Sequence, residues 1–266
     1  MKQLPVKLDY EDKWISLKIG LADDKLILPD PINREIPFKS INDVIESKNA
    51  LTINISGTTP EKHKIASIPK VLNIIRRKIL MGCAAYRLMA YFMSPAIKGG
   101  VMVSDSKWEK GAVAILNTGI WFVAQNQQVC IPIAEVSGID QTERDVQGKN
   151  TEVVKIDHVE LGEVVTSFVL CPPTTLQVLF NYLKDATKSQ EIDTGAIDPI
   201  AAQVAMLVYS GMDSHAIENM VGLSHKELES LYDKLIEMNI AEVVMTRREV
   251  KLTTKGVRFV SDATKM

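Results

Sequence analysis

Two short landmarks occur twice in this sequence, and their spacing limits the architectures that the chain can adopt. Lys13-Trp14 recurs as Lys107-Trp108, and IPFKSI at 36–41 recurs in character as IPIAEV at 131–136. The two offsets are 94 and 95 residues, so both landmarks recur at nearly the same spacing. A repeat of this length indicates two copies of one folded unit in tandem.

Both copies carry the same order of expected elements. After each tryptophan, alternating apolar runs are broken by turn-forming residues, as β-hairpins require. A helical pattern closes each copy, at 68–93 and at 174–186, where Thr174 is the expected N-cap. The pattern predicts an α+β, multidomain chain with two tandem pleckstrin-homology-like split β-barrels, each with a C-terminal helix. The first barrel is expected over residues 1–98 and the second over 99–188.

The first of these helices, over 68–93, would be about 39 Å long, which is longer than a small barrel needs as a lid. Its second half is rich in methionine and aromatic residues, which suit interfaces. Two interpretations stay open: a strut packed between the barrels, or a partner or homodimer surface that includes Met89, Tyr91 and Phe92. The cations at 76–78 in its first half indicate either a solvated face or a patch for acidic lipid headgroups.

A polar linker over 189–198 separates the repeat from a third part over 199–266. Three helices followed by a hairpin predict a winged-helix domain there. The expected elements are a helix over 200–210, a short helix capped by Asp213, a helix opened by a capping box of Ser224 and Glu227, and a hairpin over 244–256.

The charge of the third part favours a protein partner over DNA. This part holds eight basic and nine acidic residues, whereas a DNA reader needs cations along its third helix and wing. Arg247 and Arg248, beside Glu249, are expected to pair with carboxylates of a partner, since guanidinium groups suit planar acidic groups. Lys226 and Glu229 on the third helix complete the candidate contacts. The alternative is a winged-helix transcriptional regulator that binds DNA through the same hairpin.

No catalytic, cofactor-binding or metal-binding motif is visible, so we expect a protein without enzymatic activity. Asp157-His158 could suggest acid–base chemistry, but a surface histidine on an alternating strand is the simpler interpretation. The three cysteines show no pairing pattern and indicate reduced thiols. The N-terminus has no export signal, and an arginine interrupts the most apolar stretch, so we expect a cytoplasmic protein without stable membrane insertion.

With these segments in place, the chain resembles the archaeal taxis protein CheF family over nearly its whole length. The segments that carry the resemblance are Tyr209-Ser210-Gly211, ELESLYDKLIEMNIAE at 227–242, RREV at 247–250, TKG at 254–256, and GGV at 99–101 followed by KWEKG at 107–111. The resemblance implies an adaptor of archaeal motility that binds the phosphorylated response regulator CheY. It also implies a link to the switch proteins of the archaellum, with CheC and CheD homologues in the same network.

Overall fold

The computed structural model describes residues 2–57, 60–125, 127–188 and 197–244. The chain divides into two compact units, residues 1–191 and 192–266. The first unit contains two large antiparallel β-sheets with a helix after each, and the described part of the second unit is helical. The expected α+β class is therefore confirmed.

The first sheet has seven strands, in the spatial order β4-β3-β2-β1-β7-β6-β5. Its elements are β1 (Lys2–Tyr10), β2 (Lys13–Leu21), β3 (Lys25–Leu28), β4 (Arg34–Pro37), β5 (Ile41–Ser47), β6 (Ala50–Ile55), β7 (Glu61–Ala66) and helix α1 (Pro69–Gly82). Alternation along β1 places Leu4, Val6 and Leu8 in the core and the intervening side chains outside.

The second sheet repeats this topology, in the order β12-β11-β10-β8-β15-β14-β13, with a short strand β9 beside β8. Its elements are β8 (Tyr86–Lys98), β9 (Val101–Met102), β10 (Glu109–Ile115), β11 (Gly119–Ala124), β12 (Gln128–Pro132), β13 (Val136–Val146), β14 (Lys149–Glu160), β15 (Glu163–Leu170) and helix α2 (Pro173–Thr187). Pro37 and Pro132 each lead into a single 3-10 turn. The internal repeat is confirmed, and the N-cap of α2 is Pro172 rather than Thr174.

The expected helix over 68–93 is wrong in its second half. Helix α1 ends at Gly82, and residues 86–98 form β8, which pairs with β10 and β15 of the second sheet. The expected boundary at residue 98 assigned this strand to the first copy. Leucine, methionine and alanine favour helices on their own, but pairing with two neighbouring strands overrides that preference.

One continuous core joins the two sheets of the first unit. Ala112, Ala114, Trp121 and Val123, on the outer face of the second sheet, belong to the same buried cluster as the interior of the first sheet and α1. The interior of the second sheet forms a separate cluster with α2. Because the outer face of one sheet completes the core of the other, the two repeats form a single body.

The second unit contains helices α3 (Pro199–Tyr209), α4 (Ser214–Val221) and α5 (His225–Glu237). The expected caps are confirmed: the Asp213 carboxylate accepts a hydrogen bond from the Ala216 N–H, and Ser224 with Glu227 forms the capping box. The three helices pack around Val204, Ile217 and other buried residues. The expected hairpin over 244–256 lies, except for its first residue, outside the described residues.

His158 points into the second sheet, so the expectation of a surface histidine is wrong. Its side chain is 6% exposed, and its Nδ1 atom lacks a hydrogen-bond partner among the described residues. Burial lowers the pKa of His158, which outweighs the opposite effect of Glu160, Asp157 and Glu135. The imidazole therefore stays neutral in the folded protein to a lower pH than in the unfolded chain.

We expect His158 to make the folded protein less stable in mild acid. As the pH falls below about 6.5, the unfolded chain takes up a proton that the folded chain resists at this position. When the pH is lowered, the free energy of unfolding should decrease less in His158→Leu than in the wild type. Urea unfolding at about pH 7.5 and about pH 5 measures both slopes. Equal slopes would contradict this role.

Candidate docking surface

The outer face of β8 exposes two of the three side chains expected at a partner surface. Met89 is 58% exposed and Tyr91 is 45% exposed. Phe92 points to the opposite face, is 1% exposed and packs 4.9 Å from the Phe122 ring centroid. Because consecutive side chains of a strand alternate between faces, the three residues cannot form one surface, and Phe92 is a core residue.

The candidate contacts of the second unit divide between the described and the undescribed residues. Lys226 and Glu229 lie on α5 and are exposed. Arg247, Arg248 and Glu249 lie outside the described residues, so their position relative to α5 stays a prediction.

Two cations of α1, Arg76 and Arg77, link the two repeats, a role that their sequence did not indicate. Arg76 is 4% exposed, donates through Nε to Gln128 Oε1 at 2.7 Å, and pairs with Glu46. Its guanidinium carbon lies 5.2 Å from the centroid of the Trp121 ring. Arg77 donates to the carbonyl of Ala124 at 2.5 Å. These two cations are engaged within the protein, which removes them from the expected solvated or lipid-binding face.

A buried carboxylate forms a second link between the repeats. Asp43, on β5, is 3% exposed, and its Oδ1 atom accepts a hydrogen bond from the Thr118 hydroxyl at 2.9 Å. The same oxygen accepts from the backbone N–H of Val44 at 3.0 Å. Thr118 lies in the turn between β10 and β11, so this contact joins β5 of the first sheet to the second sheet. Polar contacts at two places make the arrangement specific as well as stable.

An open groove lies in the first repeat where β1 and β7 separate. In the described part of the chain, β1 pairs with β7 through Lys7↔Ala66 and Leu8↔Ile65 alone. The groove has a volume of about 780 Å³ and is shallow and open to solvent. We call it the β1–β7 groove; its walls include Pro5, Lys7, Lys18, Ala66, Ile68 and Pro69.

The β1–β7 groove opens onto a lysine-rich face of the first sheet. Lys7 and Lys18 point outward beside the groove, and Lys64 on β7 shares the face. Trp14 is 46% exposed there, with the Lys64 ammonium 5.7 Å from the centroid of its ring. The arrangement suits an anionic partner with apolar side chains. The alternating Lys and apolar residues of segment 2–10 could have indicated this strand, but they give no sign of the groove.

Comparison with known proteins identifies a family over both repeats. Residues 5–189 match the family described as "Archaeal Chemotaxis signal transduction system protein F". The chain belongs to this family. A second family, described as a domain of unknown function (DUF8579), matches residues 196–265 of this CheF-family chain.

Two curated proteins of Halobacterium salinarum are similar to this CheF-family chain. Taxis protein CheF1 is 29% identical over 172 residues, which cover 64% of this chain and 58% of the relative. Taxis protein CheF2 is 22% identical over 200 residues, which cover 74% of this chain and 66% of the relative. The matched segments therefore span less than two thirds of the length of either relative.

Neither a membrane-crossing helix nor a metal-binding cluster occurs in the described residues. No helix there is both long and apolar enough to cross a membrane. No three histidine, cysteine, aspartate or glutamate side chains of that part of the chain lie together in a way that could hold a metal ion. The thiols of Cys83, Cys130 and Cys171 are free, and burial raises the pKa of Cys130 to about 12 and that of Cys171 to about 11.

Proposed function

We propose that this CheF-family chain is a non-enzymatic taxis adaptor of the cytoplasm. It binds the response regulator CheY in its phosphorylated form and connects it to the switch proteins of the archaellum, with CheC and CheD homologues as further partners. The observation that carries the proposal is the family match over both repeats. The two linked repeats support it, because a rigid body can present several partners in fixed positions.

We propose that each repeat is a pleckstrin-homology-like split barrel. The order of the seven strands, the incomplete pairing of β1 with β7 and the helix after the last strand support this assignment. Such barrels recognise partners through grooves and exposed faces, which agrees with a binding role rather than catalysis.

We propose that the second unit is a winged helix that binds protein rather than nucleic acid. Glu229 and Asp233 are exposed one turn apart on α5, where approaching phosphates would be repelled. Arg247, Arg248 and Glu249, with Lys226 and Glu229, are its proposed contacts. Met89 and Tyr91 of β8 are the proposed second surface, for a partner or for a second copy of the chain.

Titration calorimetry of the full chain with CheY tests the adaptor proposal. We expect affinity at least about tenfold higher for CheY carrying an acyl-phosphate mimic than for unmodified CheY, equivalent to about 1.4 kcal/mol. Phosphorylation changes a hydrogen-bonded surface of such regulators, and an adaptor that reads the signal must distinguish the two forms. Equal affinities would reject recognition of the phosphorylated form, and no binding in either form would reject CheY as a partner.

A second arm of the same experiment tests the hairpin. The variant with Arg247→Glu and Arg248→Glu should keep its fold and lose binding either to CheY or to the archaellum switch proteins. Unchanged binding to both would move the contacts to the repeats. A gel shift with duplex DNA that persists at physiological salt would instead favour the transcriptional regulator.

A further inference from the structure

We propose that the β1–β7 groove binds an extended acidic segment of a partner protein, with an apolar side chain of that segment seated in the groove. The proposal rests on the adaptor function in taking the partner to be a protein. It specifies the charge and apolar character of the bound segment and its binding site on the first repeat.

Strand pairing stops at equivalent positions in the two repeats, Lys7↔Ala66 in the first and Tyr91↔Leu170 in the second. In the second repeat, β8 pairs with β15 at five positions, from Val165↔Lys98 to Leu170↔Tyr91. In the first repeat the corresponding strands, β1 and β7, pair at two positions, although β1 pairs with β2 along its whole length. The additional pairs of the second repeat lie at the other end of the strands, so the side chains of the lining, rather than the pairing, distinguish the β1–β7 groove.

The lining of the groove carries positive charge, and Asp9 is the carboxylate that shares this face of β1. Of its eleven lining residues, Lys7 and Lys18 are charged and none is a carboxylate. Neither lysine takes part in an ion pair within the described residues. Both ammonium groups are exposed, so carboxylates of a partner can approach them and gain mainly in association rate and selectivity.

The floor and one wall of the groove are apolar. Ile68 is 63% exposed beside Pro69, and Ala66 continues the wall along β7. Covering the exposed Ile68 side chain with a partner removes apolar surface from water, which contributes favourably to the free energy of binding. A segment that combines carboxylates with one or two apolar side chains complements both parts of the groove.

Recognition must come from side chains rather than from an added β-strand. Pro5 has no N–H to donate, and its carbonyl already accepts a hydrogen bond from the Ser67 hydroxyl at 2.8 Å. This edge of β1 therefore lacks consecutive free backbone groups for a ladder. Binding to an anionic membrane surface is the alternative that the vesicle measurement tests.

Fluorescence anisotropy with the full chain tests the proposal. The probe is a fluorescein-labelled synthetic heptapeptide that alternates carboxylate and apolar residues, Glu-Ile-Asp-Leu-Glu-Ile-Asp. Its counterpart replaces the carboxylates by the matching amides. We expect the acidic peptide to bind at least about tenfold more tightly than the amide peptide, and Lys7→Glu with Lys18→Glu to remove that preference.

The matched control places the same charge change on the second repeat. Lys110→Glu with Lys149→Glu alters two exposed lysines there and should leave peptide binding within about twofold of the wild type. A third variant, Ile68→Ser, should weaken the acidic peptide while retaining its preference over the amide peptide. All substituted side chains are exposed, and circular dichroism checks that the variants remain folded.

Three outcomes would overturn the proposal. The first is equal binding of the acidic and amide peptides to the wild type. The second is equal loss of binding in the two double variants. The third is binding of anionic phospholipid vesicles, but not of the peptide, that depends on Lys7 and Lys18, which would assign the face to a membrane.

Titration with CheY separates this proposal from the adaptor function. If CheY carrying the acyl-phosphate mimic binds the wild type and the Lys7→Glu, Lys18→Glu variant equally, and the peptide preference is absent, the groove assignment fails while the adaptor function stands. If CheY fails to bind the wild type but the peptide preference depends on both lysines, the groove assignment stands and CheY is rejected as the partner.

Discussion

Trp121→Ala is expected to lower the free energy of unfolding of the two-sheet unit by about 3–5 kcal/mol. The Trp121 side chain is fully buried in the core that both repeats share, so its removal leaves a cavity between them rather than within one. The same change removes the ring over which the Arg76 guanidinium lies. Urea unfolding, followed by far-ultraviolet circular dichroism, measures the loss.

The matched control is Trp14→Ala in the first repeat. Trp14 is 46% exposed and lies outside the shared core, so its removal should lower the free energy of unfolding by clearly less, about 1 kcal/mol. A similar loss in both variants would contradict the view that the shared core holds the repeats together. Two separate unfolding transitions in Trp121→Ala, against one in the wild type, would support it further.

Arg76→Ala is expected to cost about 2–3 kcal/mol, the second largest effect on stability. The change leaves Gln128 and Asn73 without a charged partner and removes the ion pair with Glu46. Because Glu46 remains partly exposed to water, the loss stays below that of a fully buried pair. The same unfolding measurement applies.

Lys78→Ala provides a control on the same helix. Lys78 pairs with Asp23 at 2.9 Å, but both side chains are exposed, so the midpoint of unfolding should stay unchanged. A loss in this variant as large as that of Arg76→Ala would mean that α1 itself, rather than its contact with the second repeat, accounts for the effect.

The sequence predicted the parts of the fold that depend on local pattern. The hairpins β2–β3 and β10–β11 follow from alternating runs around turn formers, and α4 and α5 follow from their caps. The repeat itself was visible because Trp14 lies near the start of β2 and Trp108 comes immediately before β10. Local chemistry decides these features, so one sequence is enough to find them.

Features that depend on distant pairing were missed. Strand β8 carries good helix formers, and its pairing with β15 joins residues about 70 positions apart. Strands β1 and β7 have alternating patterns, but their separation, which forms the groove, follows from the path of the chain into α1. For the same reason the sequence predicted that Arg76 is a surface cation, because no residue near it in the sequence indicates its contacts with Gln128 and Trp121.

The repeat offset of 94 residues makes Lys18 the counterpart of Ala112. Ala112 is buried at the contact between the two repeats, whereas Lys18 is exposed to water. This contact joins two different surfaces, the outer face of the second repeat and the interior of the first. If the outer face of the first repeat were equally apolar, another molecule could dock on it in the same way, and repeated docking would form a fibre. Burying an unpaired lysine is costly, so Lys18 disfavours such a contact on this face.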